Sequence, residues 1–146
     1  YDTSQAGSLD VHFTLTNSKT CKTRKEYAAW LEARLSTKRT VQFRLGKAQT
    51  VAPSGDHKFW YAFLTPDEGY LEMQILRAAL SGESAFWPHV TVGSFPSRER
   101  CAAAVDQINQ SSRIIKGEVK DIAIAEINAG RLDVFHHHQL REGPAC

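Results

Sequence analysis

The sequence predicts an α+β fold with two pseudo-symmetric antiparallel-sheet lobes, helices on the outside and a groove between the lobes. Apolar residues recur at helical spacing in some segments and alternate with polar residues in others, which is typical of mixed helices and strands. The two halves also follow a similar order. Each begins with a strand that carries the pattern His-x-Thr, continues through a helix and ends with two strands around a turn. Such an internal repeat favours two similar lobes related by a pseudo-twofold axis.

The first half begins with a strand and a helix and then forms a hairpin. The apolar patterns predict a strand over 9–16, a helix over 23–36 and hairpin strands over 41–45 and 59–64. Residues 65–68, Thr-Pro-Asp-Glu, have the form of a capping box. We therefore expect a second helix that begins there and ends at Gly82.

The second half repeats this order. The second His-x-Thr strand is followed by a helix that begins after Pro96 and Ser97. Alternation over 114–127 and 132–135 then predicts two strands that form a hairpin around residues 128–130. The apolar pattern changes parity near Lys120, which indicates a β-bulge there.

Length and composition fit one globular domain. The chain has 146 residues, of which 42% are hydrophobic and 23% charged, and a net charge of +2. This charge suits a small anionic ligand but is too weak to indicate a long nucleic-acid track. No apolar run approaches the roughly 18 residues of a membrane helix. Cys21, Cys101 and Cys146 show no Cys-x-x-Cys spacing, so we expect free thiols and a cytoplasmic location.

We expect residues 1–146 to form a single domain. The two lobes should cover approximately 9–82 and 83–140. Because the chain begins at Tyr1 rather than at a methionine, we also expect the domain to be a fragment of a larger protein.

Two His-x-Thr motifs are the residues that point to function. His12 and Thr14 lie in the first predicted strand, and His89 and Thr91 lie in the strand after the second helix. Alternation puts each histidine on the same face as its threonine, away from the core. In the second strand the core face is formed by Pro88, Val90 and Val92. A lone motif would be an ordinary structural pair, but two such strands can bring two imidazoles and two hydroxyls into one groove.

Two histidines around one small anion suit the cleavage of a phosphodiester. A neutral imidazole accepts a proton from water or a hydroxyl, and a protonated one donates a proton to the leaving oxygen. The threonine hydroxyls can donate hydrogen bonds to the non-bridging phosphoryl oxygens, where charge develops. Neither a helical His-x-x-x-His nor a carboxylate cluster accompanies the motifs, so we expect no cofactor and no metal. The alternative interpretation is two unrelated core histidines.

The paired motifs resemble those of the 2H phosphoesterase superfamily, which includes RNA 2′,3′-cyclic phosphodiesterases and viral 2′,5′-phosphodiesterases. The resemblance rests on His12-Phe13-Thr14-Leu15, on Pro88-His89-Val90-Thr91-Val92 and on the order of helices and hairpins. It implies that His12 and His89 are the acid–base pair. It also implies that Thr14 and Thr91 bind the phosphate, and that this phosphate is bonded to a ribose 2′-oxygen. The chain departs from many members in having only eleven residues before the first motif.

Aromatic residues around the second motif are candidates for stacking on a nucleobase. Trp87 and Phe95 flank the motif, and base stacking on aromatic rings is common in proteins that bind single strands. The alternative for each ring is a place in the core.

A run of three histidines, His136, His137 and His138, raises the alternative of a metal site. Consecutive strand residues point to alternating faces, so at most two of these side chains could bind one ion. The sequence offers no cysteine or carboxylate constellation that would complete a ligand set. We therefore expect a solvated strand end.

These observations predict a metal-independent phosphoric diester hydrolase that acts on an RNA-type substrate. The substrate would be either a 2′,5′-linked oligoadenylate or a 2′,3′-cyclic phosphate end. A catalytically idle RNA-end binding module is the alternative, and the presence of both histidines and both threonines argues against it. We expect a monomer that binds a short oligoribonucleotide or nucleotide, without an obligate protein partner and without attachment to a membrane.

Overall fold

The computed structural model contains three helices and six strands within residues 12–17, 22–81, 87–129 and 131–143, which are the residues that the structure describes. The strands form two antiparallel sheets, one of four strands and one of two. The predicted α+β class is therefore confirmed. None of the helices in these ranges has the length and the apolar character that a membrane crossing requires.

The helices lie close to their predicted positions. Helices α1, α2 and α3 span Arg24–Leu35, Tyr70–Ser81 and Arg98–Gln110. Thr23 caps α1, because its side chain accepts a hydrogen bond from the Glu26 amide while the Glu26 carboxylate accepts one from the Thr23 amide. The hydrogen bond from the Thr23 amide to the Glu26 carboxylate is the largest cause that lowers the pKa of this carboxyl. Ser97 caps α3 through the amide of Arg100. The predicted helix end at Gly82 lies outside the described residues.

Both predicted hairpins are present. Strands β1 to β6 span Val41–Val51, Trp60–Glu68, Val90–Phe95, Ile115–Val119, Asp121–Asn128 and Arg131–Gln139. β1 and β2 form the first hairpin at the centre of a sheet with the order β3-β2-β1-β4, and β5 and β6 form the second hairpin as a separate sheet. The larger sheet takes strands from both predicted lobes. The bilobal arrangement is thus not confirmed and stays a prediction.

Two clusters of buried side chains form the core. The first cluster joins α1 and α2 to the start of β1 and contains Leu31, Leu35, Val41, Met73, Leu76, Leu80 and Leu140. The second lies between α3 and the sheet and contains Leu45, Ala48, Ala62, Leu64, Val90, Cys101 and Val105. Phe13 and Phe43 contact both clusters, with ring centroids 5.2 Å apart in an edge-to-face arrangement. This pair joins the two clusters.

The predicted capping box at 65–68 is wrong, because β2 continues through Glu68. Arg44 on β1 holds this end of β2. Its Nε donates to Asp67 at 2.7 Å, and its Nη1 lies 3.1 Å from the Glu68 carboxylate. Gly69 follows with a φ of +85°, which glycine adopts without strain, and α2 begins one residue later. Pairing across the strands therefore outweighs the local helix signal.

The predicted first strand is wrong over its described part. Residues 12–17 form no strand, and residues 9–11 lie outside the described residues. The Leu15 carbonyl accepts a hydrogen bond of 2.8 Å from Nη1 of Arg77 on α2. Phe13 and Leu15 pack against the core. A side chain thus supplies a backbone partner that a neighbouring strand would otherwise supply.

The predicted bulge near Lys120 is a change of sheet. β4 ends at Val119 in the four-stranded sheet, and β5 begins at Asp121 in the hairpin. Lys120 is the single residue between them. Its carbonyl accepts a hydrogen bond of 2.8 Å from the Leu140 amide, which closes the base of the β5–β6 hairpin.

Candidate active site

His89 lies directly before β3, and a backbone carbonyl orients its ring. Nδ1 is 2.8 Å from the carbonyl oxygen of Trp87. Because a carbonyl oxygen only accepts hydrogen bonds, Nδ1 carries the proton of the neutral ring. Nε2 is then the nitrogen of the neutral ring that keeps a lone pair. The buried Pro88 between the two residues favours an extended Trp87 backbone.

Phe63 on β2 stacks against the imidazole. The two ring centroids are 3.9 Å apart and the ring planes differ by 16°. Trp87 completes a group of three rings, with its centroid 5.6 Å from Phe63 and 5.7 Å from His89. We call Phe63, Trp87 and His89 the aromatic layer. These contacts restrict the plane of the imidazole, in addition to the hydrogen bond at Nδ1.

Trp87 is the exposed member of the aromatic layer. Its Nε1 donates a hydrogen bond of 2.9 Å to the Thr65 hydroxyl, and 39% of the residue is accessible to solvent. Phe95, the other candidate for base stacking, is half-buried and packs against the second core cluster. Base stacking stays a prediction for both residues, and Trp87 presents the more accessible ring.

Thr91 is exposed on the same face of the sheet as Phe63. The two residues are directly opposite each other in the pairing of β2 with β3. Ala62 and Leu64, on either side of Phe63, are buried under α3 in the second core cluster. The side chain of Thr91 therefore lies on the face away from the core, as the alternation predicts.

Val92 departs from the predicted alternation. The pairing passes from Phe63 with Thr91 to Ala62 with Gly93, so Val92 is an extra residue in a β-bulge. Its side chain is 46% exposed instead of buried in the core. The bulge also moves Gly93 opposite the buried Ala62 and thus away from the face that carries Thr91.

The first motif lies on the irregular segment 12–17. His12 and Thr14 are exposed, whereas Phe13 between them packs into the core. The segment ends beside a cleft of about 270 Å³ between α1 and the end of α2. His89 lies on the face of β2 opposite to the second core cluster. The meeting of His12 and His89 in one groove therefore stays a prediction.

The histidine triplet is not the solvated strand end that the sequence predicts. His138 is only 7% exposed, and each of the three rings hydrogen bonds to a carboxylate. Within the described residues, no group of three histidine, cysteine, aspartate or glutamate side chains is arranged to hold a metal ion.

Comparison with models of known protein families gives no match, and comparison with curated proteins gives none either. A proposal for the function therefore rests on the two motifs and on the surroundings of His89.

Phe63 and Thr65 are residues around His89 that the sequence analysis missed. The alternation of Tyr61 and Phe63 with Ala62 and Leu64 is the signal that could have placed the two aromatic rings on the outer face. The apparent capping box concealed Thr65, whose hydroxyl holds the Trp87 ring instead of a helix end.

Proposed function

We propose that this domain is a metal-independent phosphodiesterase that cleaves a phosphate bonded to a ribose 2′-oxygen. The arrangement at His89 is the observation that carries the proposal. Its Nδ1 faces a carbonyl oxygen, its Nε2 is left for proton transfer, and the exposed Thr91 follows it on the outer face of the sheet. His12 and Thr14 supply a second copy of the same two groups on an exposed segment.

In the proposed reaction the two imidazoles have complementary roles. One accepts a proton from water or a ribose hydroxyl while the oxygen of that group forms its bond to phosphorus. The other donates a proton to the leaving oxygen while the bond between that oxygen and phosphorus breaks. Thr14 and Thr91 donate hydrogen bonds to the non-bridging oxygens, on which negative charge increases.

The resemblance to the 2H phosphoesterases is the basis for the substrate class, and the surface around His89 supports it. Trp87 can stack on a nucleobase next to the reacting phosphate, with Phe95 as the second candidate. The small positive net charge suits a short anionic ligand. A 2′,5′-linked oligoadenylate and a 2′,3′-cyclic phosphate end both meet these requirements.

The proposal includes a bilobal arrangement of the two halves of the chain. A bilobal 2H phosphoesterase-like arrangement would bring His12 and His89 to opposite sides of one groove. We also propose that the domain works as a cytoplasmic monomer without an obligate protein partner. The free thiols expected from the sequence support the cytoplasmic location.

A catalytically idle module that binds RNA ends is the second candidate, and the first motif favours it. Residues 12–17 lie outside any strand, so His12 and Thr14 do not lie on the strand that the proposed paired motifs require. A binding module needs threonine hydroxyls and an exposed ring, but it does not need two proton-transfer groups.

Turnover in EDTA separates the two candidates. The domain is incubated with a 2′,5′-linked oligoadenylate and with a 2′,3′-cyclic nucleotide, and the products are resolved by chromatography. His12→Ala and His89→Ala should each reduce turnover by about 10²–10⁴. The double variant should be hardly worse, because the two residues act as a unit.

His57→Ala is the matched control for these variants, because His57 is an exposed histidine outside both motifs. It should leave turnover unchanged. Binding without turnover would identify the idle module. Near-normal turnover in either folded single variant, or a strict need for an added divalent ion, would contradict the proposed enzyme.

A further inference from the structure

Three consecutive histidines on β6 each face a carboxylate. His136 Nε2 is 2.9 Å from one oxygen of Glu32, and His138 Nδ1 is 2.7 Å from the other. His137, between them, has its Nδ1 2.8 Å from Asp121. Glu32 belongs to α1, so two of these three contacts join the β5–β6 hairpin to that helix.

The surroundings of His138 require a proton on each ring nitrogen. Nδ1 faces the Glu32 carboxylate, and Nε2 is 3.2 Å from the Leu35 carbonyl oxygen. An ionised carboxylate and a carbonyl oxygen only accept hydrogen bonds, and only an imidazolium has two N–H donors. Because His138 is buried, water has little access to replace either bond.

Glu32 supplies the negative charge at the centre of this group. Hydrogen bonds from His136 and, second, from His138 lower the pKa of its carboxyl. Glu32 is therefore ionised in the pH range in which histidines titrate. It cannot supply the proton that a neutral His138 would lack.

We propose that Glu32, His136 and His138 form a clasp that holds the open end of the β5–β6 hairpin on the C-terminal half of α1 only while His138 is protonated, whereas Arg24 holds the turn end through Glu126 and Asp133. When the ring loses one proton, one nitrogen keeps a lone pair directed at an oxygen atom, so a hydrogen bond is replaced by repulsion. Leu35 and Leu140 lie in the first core cluster beside the clasp and gain access to water when the hairpin moves. This inference is independent of the proposed phosphodiesterase activity.

Several other charged groups on the packed elements have partners of their own. They are Arg24 with Glu126 and Asp133, Asp121 with His137, Arg77 with the Leu15 carbonyl, and Lys120 with Glu118. Lys25, Arg34, Glu72 and Arg131 also lie on these elements. Carboxylates, lysines and arginines keep their charge through the neutral range. Histidine is the residue type in this surrounding set whose ordinary pKa lies near neutral pH.

The pH range of the clasp follows from the two kinds of group. The pKa of Glu32 is lowered, so its ionised carboxylate stabilises the clasp at pH values above the ordinary glutamate pKa of about 4.3. This stabilisation is lost only as the pH falls through the lowered pKa. An imidazolium loses one of its two ring protons as the pH rises. The clasp therefore holds in mildly acidic solution and loosens toward alkaline pH.

Nitrogen-15 NMR of the intact domain tests the protonation directly. At about pH 6, both ring nitrogens of His138 should show a bound proton, and the signals are assigned by their loss in His138→Gln. A His138 ring with a single N–H at this pH would overturn the proposal, and the variant serves only to assign the signals of the wild-type ring.

Amide hydrogen exchange measures how firmly the hairpin is held. Protection factors of α1 and β6 should fall about tenfold from mildly acidic to mildly alkaline pH, as expected for the loss of a hydrogen bond between charged groups. Glu32→Gln and His138→Gln should show the lower protection at both pH values. His137→Gln is the matched control, because its ring bonds to Asp121 and not to α1, and it should keep the pH-dependent fall. Wild-type protection that is independent of pH, or a control that behaves like His138→Gln, would contradict the clasp.

Discussion

Replacing Phe63 with leucine tests whether the aromatic layer positions His89. Leucine keeps apolar volume on β2, but it removes the ring that stacks 3.9 Å from the imidazole and meets Trp87 at 5.6 Å. The hydrogen bond from His89 Nδ1 to the Trp87 carbonyl does not involve Phe63. Without the stack the ring plane is no longer restricted, so the imidazole turns away from the carbonyl part of the time and the preference for the Nδ1–H tautomer weakens.

The size of the effect follows from the ring contacts of Phe63. It meets three aromatic rings, those of Tyr61, Trp87 and His89. Each aromatic pair contributes about 0.5–1.5 kcal/mol beyond the burial of area, so the free energy of unfolding should fall by about 1–3 kcal/mol once the contacts of leucine are subtracted. If His89 takes part in proton transfer, kcat should fall about tenfold, which corresponds to about 1.4 kcal/mol of lost orientation. KM should change little.

Nitrogen-15 NMR of the His89 ring and steady-state kinetics on the 2′-linked substrates provide the two measurements. The neutral wild-type ring should carry its proton on Nδ1, whereas Phe63→Leu should show both tautomers. Phe63→Tyr keeps the stacked ring and should restore both the tautomer and kcat. Phe59→Leu is the matched control, because Phe59 lies before β2 and outside the aromatic layer.

One result would refute the reasoning. A Phe63→Leu domain that keeps the Nδ1–H tautomer alone and the wild-type kcat would show that Phe63 does not position His89. If only the stability fell, Phe63 would be a structural residue of the outer sheet face.

Three further predictions concern the backbone and the surface charges. Gly69→Ala should lower the free energy of unfolding, measured in urea, by about 3 kcal/mol, because φ is +85° and an added Cβ would collide with a backbone carbonyl. Gly55→Ala should lower it by only about 1 kcal/mol, because Gly55 has a φ of +59° but open space around the added Cβ. Equal losses of stability in the two variants would contradict a collision at Gly69. The hydrogen bond from Arg44 lowers the pKa of Asp67. The ionised carboxylate therefore stabilises the folded protein at pH values above the ordinary aspartate pKa of about 3.9, and this stabilisation is lost as the pH falls through the lowered pKa. Thermal unfolding curves of wild type and Asp67→Asn should therefore differ at neutral pH and converge in acid, and a constant difference would disagree. Ala129→Gly should raise stability by about 1 kcal/mol, because alanine is strained at φ of +49°, and a lower Tm would speak against this strain.

Local patterns predicted the elements whose signals lie within a few residues. α1 follows from an apolar spacing that includes Leu31 and Leu35, which are buried one turn apart. The wrong predictions involve partners that are distant in the chain. Arg44 on β1 pairs with Asp67 and Glu68 and stabilises 65–68 as part of a strand. Arg77 donates a hydrogen bond to the Leu15 carbonyl, which therefore needs no partner in a sheet. Periodicity contains no information about such pairs.

The same distinction applies to the candidate site. Alternation placed Thr91 on the outer face because that needs only the strand itself. The bulge at Val92 depends on how β3 pairs with β2, and the stack on His89 depends on Phe63 from another strand. The buried His138 likewise depends on Glu32, which is 106 positions away.

The bulge at Val92 also has a consequence for self-association. Within the part of the chain that the structure describes, β3 is the outermost strand at one end of the four-stranded sheet. An outermost strand can add the strand of another molecule along its unpaired backbone groups, which is how fibrils grow. A bulge breaks the regular spacing of those groups and increases the twist, so a second copy pairs poorly along β3. The extra residue that disturbs the alternation thus protects a β-prone surface from aggregation at high concentration.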